Sequence, residues 1–264
     1  MTHFLTGQYQ KVAELATNAK LIPETKVIVA RVLQRQDAFE QAANLIAETT
    51  SAEGLGLLSL LRLDLGQFDQ AFATSQRTLS LKADQVDALQ TKASLLVSER
   101  NMVRGGRAIR KVLKLKPNSG RMLALQGEVE FFSLEIPPAI KSFEKTLKLM
   151  PDHIGSLYFL GWCYCMAGEF DVAALTFNKA LALDANFAES QGALAVIAVL
   201  RNDLETGAKL AGEVLDKTPE CASANYALEL IAEQNTDESE PHPTTAVGQG
   251  FGNRIIAVVK QFKR

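Results

Sequence analysis

Small and large apolar residues recur every 34 positions along most of the chain, between polar positions that vary. Five full repeats are placed at 52–85, 86–119, 120–153, 154–187 and 188–221. Within each repeat the eighth and twentieth positions are always small, the seventeenth is always large and apolar, and the twenty-eighth is always leucine. The small residues are Ser59, Ala93, Gly127, Gly161 and Ala195 at position eight, and Ala71, Gly105, Ala139, Ala173 and Gly207 at position twenty.

This period predicts two antiparallel helices in each repeat. The small residues let the two backbones approach closely, and the large residue at position seventeen fills the space beside the crossing. Proline at position thirty-two of three repeats ends the second helix, because proline cannot continue it. Gly66 and Gly168 mark the turn between the helices, where a left-handed backbone is easiest for glycine.

The pattern resembles the tetratricopeptide-repeat family over roughly 23–234. The residues of the family's type are most complete in repeat 154–187: Gly161, Tyr164, Gly168, Phe170, Ala173, Phe177 and Ala180. The resemblance implies an all-α fold, a right-handed α-solenoid of helix-turn-helix repeats. It also implies a scaffold that holds another polypeptide, an adaptor or an assembly chaperone, rather than an enzyme.

The two ends of the chain depart from the repeat. Residues 1–22 fit only a half-repeat or cap, 23–51 a shortened repeat, and 222–234 a capping first helix. The segment 235–250 is acidic and rich in proline and glycine, which favours a flexible linker. Within 251–264, Ile255, Val258, Val259 and Phe262 share one face of a short amphipathic helix.

A helix this short is marginal in water, so it needs a surface on which to fold. Three surfaces compete: this chain's own groove, a neighbouring subunit in a homo-oligomer, or a membrane face that the basic residues of 254–264 contact weakly. An unstructured tail without a role is an equal alternative.

Composition narrows the partner classes. The chain has 264 residues, a net charge of −2 and 47% hydrophobic residues, which does not predict nucleic acid or an anionic membrane as the partner. The N-terminus has no secretory-signal pattern, and no run is apolar enough to span a membrane. Cys163 and Cys165 diverge around a helix and cannot readily pair, which favours reduced thiols and a cytoplasmic protein.

The resemblance implies a peptide groove, because the family lines its concave surface with first-helix positions two, five, nine, twelve and thirteen. The strongest candidates on those positions are Phe131, Phe132, Tyr158, Trp162, Cys165, Met166, Val196, Val199, Leu200 and Tyr226. Leu60, Leu63 and Val97 occupy such positions earlier in the chain. Aromatic residues and methionine recur at binding hot spots. The alternative is that these residues pack in the core. The family's carboxylate clamp for peptide C-termini is absent.

A basic stripe is a second candidate surface. Its candidate residues are Arg104, Arg107, Arg110, Lys111, Lys114 and Arg121. Four of them, Arg104, Arg107, Lys111 and Lys114, share one side of a helix, which the resemblance places on the convex face, where it could attract an acidic partner or RNA. The alternative is an ordinary solvated helix face.

The sequence contains no motif that predicts a catalytic site, a metal site or a cofactor site. None of the three histidines, His3, His153 and His242, has a cysteine or carboxylate at ligand spacing. The run Gly248–Gln–Gly250–Phe–Gly252 lacks the preceding strand that a phosphate loop requires. We therefore expect no catalytic residues, no metal and no cofactor.

Overall fold

The structure is a computed structural model that describes residues 22–236 and 254–257. The predicted N-terminal half-repeat, residues 237–250 of the predicted linker, and the tail residues Val258, Val259 and Phe262 lie outside the described residues. All regular secondary structure in the described part is helical, which confirms the predicted all-α class.

From residue 52 onward the first helix of each pair begins at an even spacing. Their bounds are α1 Pro23–Gln34, α2 Phe39–Leu45, α3 Ala52–Asp64, α4 Phe68–Leu81, α5 Val86–Ser98, α6 Met102–Leu115, α7 Gly120–Phe132, α8 Ile136–Leu149, α9 Ile154–Met166, α10 Phe170–Leu183, α11 Ala188–Leu200, α12 Leu204–Leu215 and α13 Ala222–Thr236. First helices thus begin at 52, 86, 120, 154, 188 and 222, each 34 residues after the last. One further helical turn covers 254–257.

Caps explain where several helices begin. The side-chain oxygens of Ser51, Asn101 and Asp203 each accept a hydrogen bond from a backbone amide three residues later, at 3.1 to 3.2 Å. These bonds satisfy amides that have no partner within the helix. Second helices end before proline in two repeats, since α6 stops at Leu115 and α8 at Leu149.

The small positions lie where the two helices of a pair meet. A Cβ atom added to Gly161 would lie 2.6 Å from Cε1 of Phe177, and one added to Gly127 would lie 2.7 Å from Cε1 of Phe143. Both phenylalanine rings are buried, so neither can move aside freely. The close approach of the two backbones therefore depends on glycine at these positions.

The turn between paired helices uses one left-handed residue each time, fifteen residues into the repeat. Gly66 and Gly168 adopt φ values of 72° and 79°, as predicted. Asp37, Arg100, Leu134 and Asn202 take the same conformation at the same place, with φ between 57° and 64°. The turn geometry is thus imposed by the helix pair, whether or not glycine is present.

The chain divides into two compact units, Met1–Pro117 and Asn118–Arg264. The first unit holds a core formed by α1 to α3, with Ile46, Leu57 and Leu61 among its most buried residues. On α5 of this unit the buried carboxylate of Asp87 accepts two hydrogen bonds from Arg31, at 2.6 and 3.1 Å. The second unit has a larger core, which runs through α7 to α13 and includes Ile255 and Ile256.

Candidate functional site

The ten strongest groove candidates all lie in the second unit, and nine have their side chains inside its core. The nine buried residues are Phe131, Tyr158, Trp162, Cys165, Met166, Val196, Val199, Leu200 and Tyr226. Phe132 is partly buried and packs against the same core. These side chains do not face solvent in this structure, so a partner reaches them only if part of their cover moves.

An aromatic cluster centred on α9 holds neighbouring helices together. The Tyr158 and Trp162 rings meet edge to face at 6.2 Å, and the Trp162 and Phe177 rings at 5.6 Å. Tyr158 also meets Phe187 edge to face at 5.6 Å. Such pairs contribute about 0.5–1.5 kcal/mol each beyond the burial of their area. Replacing Tyr158 or Trp162 would therefore damage the fold as well as any binding.

Glu189 is a buried carboxylate that the sequence did not single out. Its oxygens accept hydrogen bonds from the backbone amides of Ala222 and Ser223, at 3.0 and 3.1 Å, and from the Ser223 hydroxyl at 2.5 Å. The hydroxyl of Tyr158 lies 3.4 Å from the same carboxylate. Glu189 thus caps the first turn of α13 and fixes that helix on α11. Burial raises the pKa of Tyr158 well above its usual range, and the negative charge of Glu189 adds to the rise.

The repeat gives only a partial sequence signal for Glu189. It occupies the second position of its repeat, as Asp87 and Glu53 do, but Glu53 is exposed, so the position alone does not mark a buried carboxylate. A charged residue is seldom buried unless it is paired, so the burial of Asp87 and Glu189 requires a specific partner for each. The partners differ: Arg31 for Asp87, and the amides that begin α13 for Glu189.

The helical turn 254–257 packs onto α13. Nη2 of Arg254 donates a hydrogen bond of 2.8 Å to Oε1 of Glu233, and Cζ of the same side chain lies 5.3 Å from the ring centroid of Tyr226. Ile255 and Ile256 are buried and belong to the same apolar cluster as Tyr226. Burial raises the pKa of Tyr226 to about 12, and the positive charge of Arg254 opposes part of that rise.

Apolar burial outweighs the polar contacts in holding this turn. Fully burying an isoleucine contributes about 1.5–3 kcal/mol. The Arg254 and Glu233 side chains are 39% and 57% exposed. An ion pair with this much exposure to water contributes at most about 1 kcal/mol. The stacking of Arg254 on Tyr226 adds about 0.5–1 kcal/mol. The two isoleucines therefore provide the stability, and Arg254 fixes the register.

The three cysteines are free and buried. Burial raises the pKa of Cys163 and of Cys165 above the ordinary range, and raises that of Cys221 to about 12. Their thiols therefore stay protonated and unreactive near neutral pH. Among the described residues, no three His, Cys, Asp or Glu side chains come close enough to hold a metal ion.

The basic stripe divides between the two units. Arg104, Arg107, Arg110, Lys111 and Lys114 are exposed on α6 of the first unit. Arg121 is partly buried on α7 of the second. Nζ of Lys111 donates a 3.1 Å hydrogen bond to the carbonyl of Ala83. The basic residues on α6 form an exposed cationic face, and Val103 beside it is 69% exposed.

A shallow surface groove of about 410 Å³ lies between α8, α9 and α10, and the sequence did not predict it. Its lining is Glu144, Leu147, Lys148, Leu157, Leu160, Tyr164, Val172, Thr176 and Lys179. The Tyr164 hydroxyl donates a 3.1 Å hydrogen bond to Glu144. Burial and this carboxylate raise the pKa of Tyr164 to about 12. The groove mixes charges of both signs over an apolar floor, so its chemistry does not select one ligand class.

Solved structures of tetratricopeptide-repeat proteins share this fold. Cut9–Hcn1 from the APC/C hetero-tetramer matches with a TM-score of 0.67 and 16% identity, over 84% of this chain and 45% of that one. PilF of Pseudomonas aeruginosa matches with a TM-score of 0.60 and 16% identity, over 80% and 97%. YrrB, described as having an unusual peptide-binding site, matches with a TM-score of 0.56 and 17% identity, over 73% and 98%.

Sequence comparison adds no closer relative. No protein-family model matches the chain, and no curated protein sequence matches it. Within the described residues, no helix has both the length and the apolar character needed to cross a membrane. The structural similarity therefore supports the fold. A proposal about function has to rest on the contacts within the chain.

Proposed function

We propose that this chain, whose fold is that of tetratricopeptide-repeat proteins, is a non-catalytic scaffold that binds another polypeptide. The main observation behind the proposal is that residues 254–257 pack against α13. There a helical turn is held by two buried isoleucines and by the contacts of Arg254 with Tyr226 and Glu233. A surface that takes a helical turn from its own chain has the chemistry to take one from a partner.

The partner that fits is a short amphipathic helix, and the role that fits is that of an adaptor or assembly chaperone. Helix-in-groove recognition reads apolar residues at helical spacing against an apolar surface. The face of α13 around Tyr226 supplies that surface once residues 254–257 are displaced, and Val199 and Leu200 of α11 belong to the same apolar cluster. YrrB supports the assignment, since its described peptide-binding site lies in a protein of the same fold.

We place the protein in the cytoplasm, because three free buried thiols fit a reducing compartment. Self-association through the tail is the second candidate, and it is less favoured because residues 254–257 pack on their own unit.

Site-specific photo-cross-linking tests the proposal. A benzophenone amino acid is placed in the native cell at Glu229, which is exposed on α13, or at Leu175, which is 64% exposed on α10. We expect the probe at Glu229 to capture a polypeptide through one helical segment that the probe at Leu175 does not capture. Capture of the same proteins from both positions, or of none from Glu229, would contradict the proposal.

A further inference from the structure

The contacts of Arg254 indicate which kind of ligand the surface of α13 would bind. Arg254 bridges Tyr226 and Glu233, which are seven residues apart on α13 and therefore two turns apart on one face of that helix. In the repeat these are positions five and twelve, which the family resemblance assigns to the ligand-binding surface. Residues 254–257 thus sit where a ligand would sit.

We propose that this face of α13 recognises a helix in which a basic residue directly precedes two adjacent aliphatic residues, and that residues 254–257 are the chain's own copy of that ligand. The inference rests on the proposed function and names its partner class. Glu233 binds the positively charged group, and the guanidinium stacks on the Tyr226 ring. The two aliphatic side chains are buried in the apolar cluster.

Electrostatics around residues 254–257 favour a cation at this place. Glu229 lies one helical turn from Glu233 on α13 and also attracts Arg254. Burial raises the pKa of Tyr226, and the nearby carboxylates raise it further, whereas Arg254 lowers it. An acidic residue in place of Arg254 would meet two carboxylates and a ring face of negative potential.

The segment and a partner would compete for one surface. A tethered ligand acts at an effective concentration of about the millimolar range, so it excludes any partner that binds no more tightly than itself. The chain would therefore accept a partner whose helix matches the same pattern and buries more apolar area.

The test uses a fluorescein-labelled peptide with the sequence of residues 251–264, titrated into full-length chains by fluorescence anisotropy. Ile255→Asp releases the tail, and Ala257→Asp, on the exposed side of the same turn, is the matched control. We expect the peptide to bind the Ile255→Asp chain at least about tenfold more tightly than the intact chain or the Ala257→Asp chain.

Charge exchange tests the recognition rule. In the Ile255→Asp background, Glu233→Lys should weaken the peptide about tenfold and should favour a peptide carrying Arg254→Glu. Because Ile255→Asp could disturb the core, a second and partly released form is Arg254→Glu in an otherwise intact chain, which places a third carboxylate beside Glu233 and Glu229. Arg254→Glu/Glu233→Arg is expected to close it again.

Three outcomes would overturn the inference: no peptide binding to either released chain, binding that is indifferent to the charge at position 233, or an intact dimer that Arg254→Glu dissociates. The proposed function fails separately, through the photo-cross-linking result. Peptide binding without a cross-linked partner would leave the recognition rule intact and remove the scaffold. A cross-linked partner without peptide binding would leave the scaffold intact and remove the recognition rule.

Discussion

The guanidinium of Arg254 and the carboxylate of Glu233 lie 2.8 Å apart, and this contact joins a helical turn near the C-terminus to α13. The turn buries Ile255 and Ile256 in the core that contains the predicted groove residues. A side chain that is buried by another segment of its own chain can still belong to a binding surface, provided that the covering segment is held by few contacts and can move away. The energetics of the 254–257 turn therefore decide whether the surface opens.

Ile255 should matter far more to stability than its exposed neighbour. Replacing Ile255 by Asp removes a fully buried side chain, and we expect the free energy of unfolding to fall by about 2 kcal/mol. Ala257→Asp should change it by less than about 0.5 kcal/mol. Urea denaturation followed by the fluorescence of Trp162, the single tryptophan, measures both values in the second unit. Equal losses from the two variants would mean that burial of Ile255 does not hold the turn.

Gly161 should not tolerate a methyl group. A Cβ atom there would lie 2.6 Å from the buried ring of Phe177, so Gly161→Ala should cost about 1–3 kcal/mol through overpacking. Gly212 is also within a helix, but a Cβ atom added there would meet no atom within 4 Å, and Gly212→Ala should stabilise by up to about 1 kcal/mol. Thermal unfolding of both variants measures the difference. A neutral Gly161→Ala would show that the helices of this pair can move apart at little cost.

Arg100 should gain from replacement by glycine. It adopts φ 59°, a conformation that costs a non-glycine residue about 1–2 kcal/mol, while glycine loses about 0.5–1 kcal/mol in chain entropy. Arg100→Gly should therefore stabilise the first unit slightly, whereas Arg107→Gly, within α6, should destabilise it by about 1 kcal/mol. Circular dichroism during denaturation compares the two. Destabilisation by Arg100→Gly would mean that the side chain contributes more than the backbone costs.

The repeat made most of the fold predictable, and the same regularity explains what was missed. The 34-residue period locates each helix pair, because small residues such as Gly161 are needed wherever two helices cross. Glycine also marked the left-handed turn at Gly66 and Gly168. It could not mark Arg100, Leu134 and Asn202, where the helix pair imposes the conformation on an ordinary residue.

The candidate site was harder to predict, because position in a repeat does not reveal what covers a side chain. Trp162 occupies a position that the family resemblance assigns to the ligand-facing surface, yet it is fully buried, since neighbouring helices and aromatic rings close over it. The contact of Arg254 with Glu233 joins residues 21 apart across a segment that does not follow the repeat. The period therefore predicts neither this contact nor the cap formed by Glu189.

The basic stripe should behave as a solvated face. The triple variant Arg104→Gln, Arg107→Gln, Lys111→Gln should leave thermal unfolding unchanged within about 0.5 kcal/mol, because exposed charges contribute little to stability. We also expect no saturable binding of a labelled single-stranded RNA to the unmodified chain at 150 mM salt. Saturable RNA binding that weakens steeply with salt and is lost in the triple variant would instead make this stripe a nucleic-acid interface.

The most direct test asks whether residues 254–257 cover the surface that a partner would use, by comparing two buried thiols. Cys165 interacts electrostatically with Tyr226 and Arg201, whereas Cys163 interacts with Glu130 and with Cys165 itself. Both thiols are alkylated with iodoacetamide at pH 8 and quantified by mass spectrometry, in the intact chain and in Ile255→Asp. We expect Ile255→Asp to speed modification of Cys165 about tenfold, equivalent to roughly 1.4 kcal/mol, and to leave Cys163 unchanged. Equal rates for Cys165 in the two chains, or equal acceleration of both thiols, would contradict this expectation.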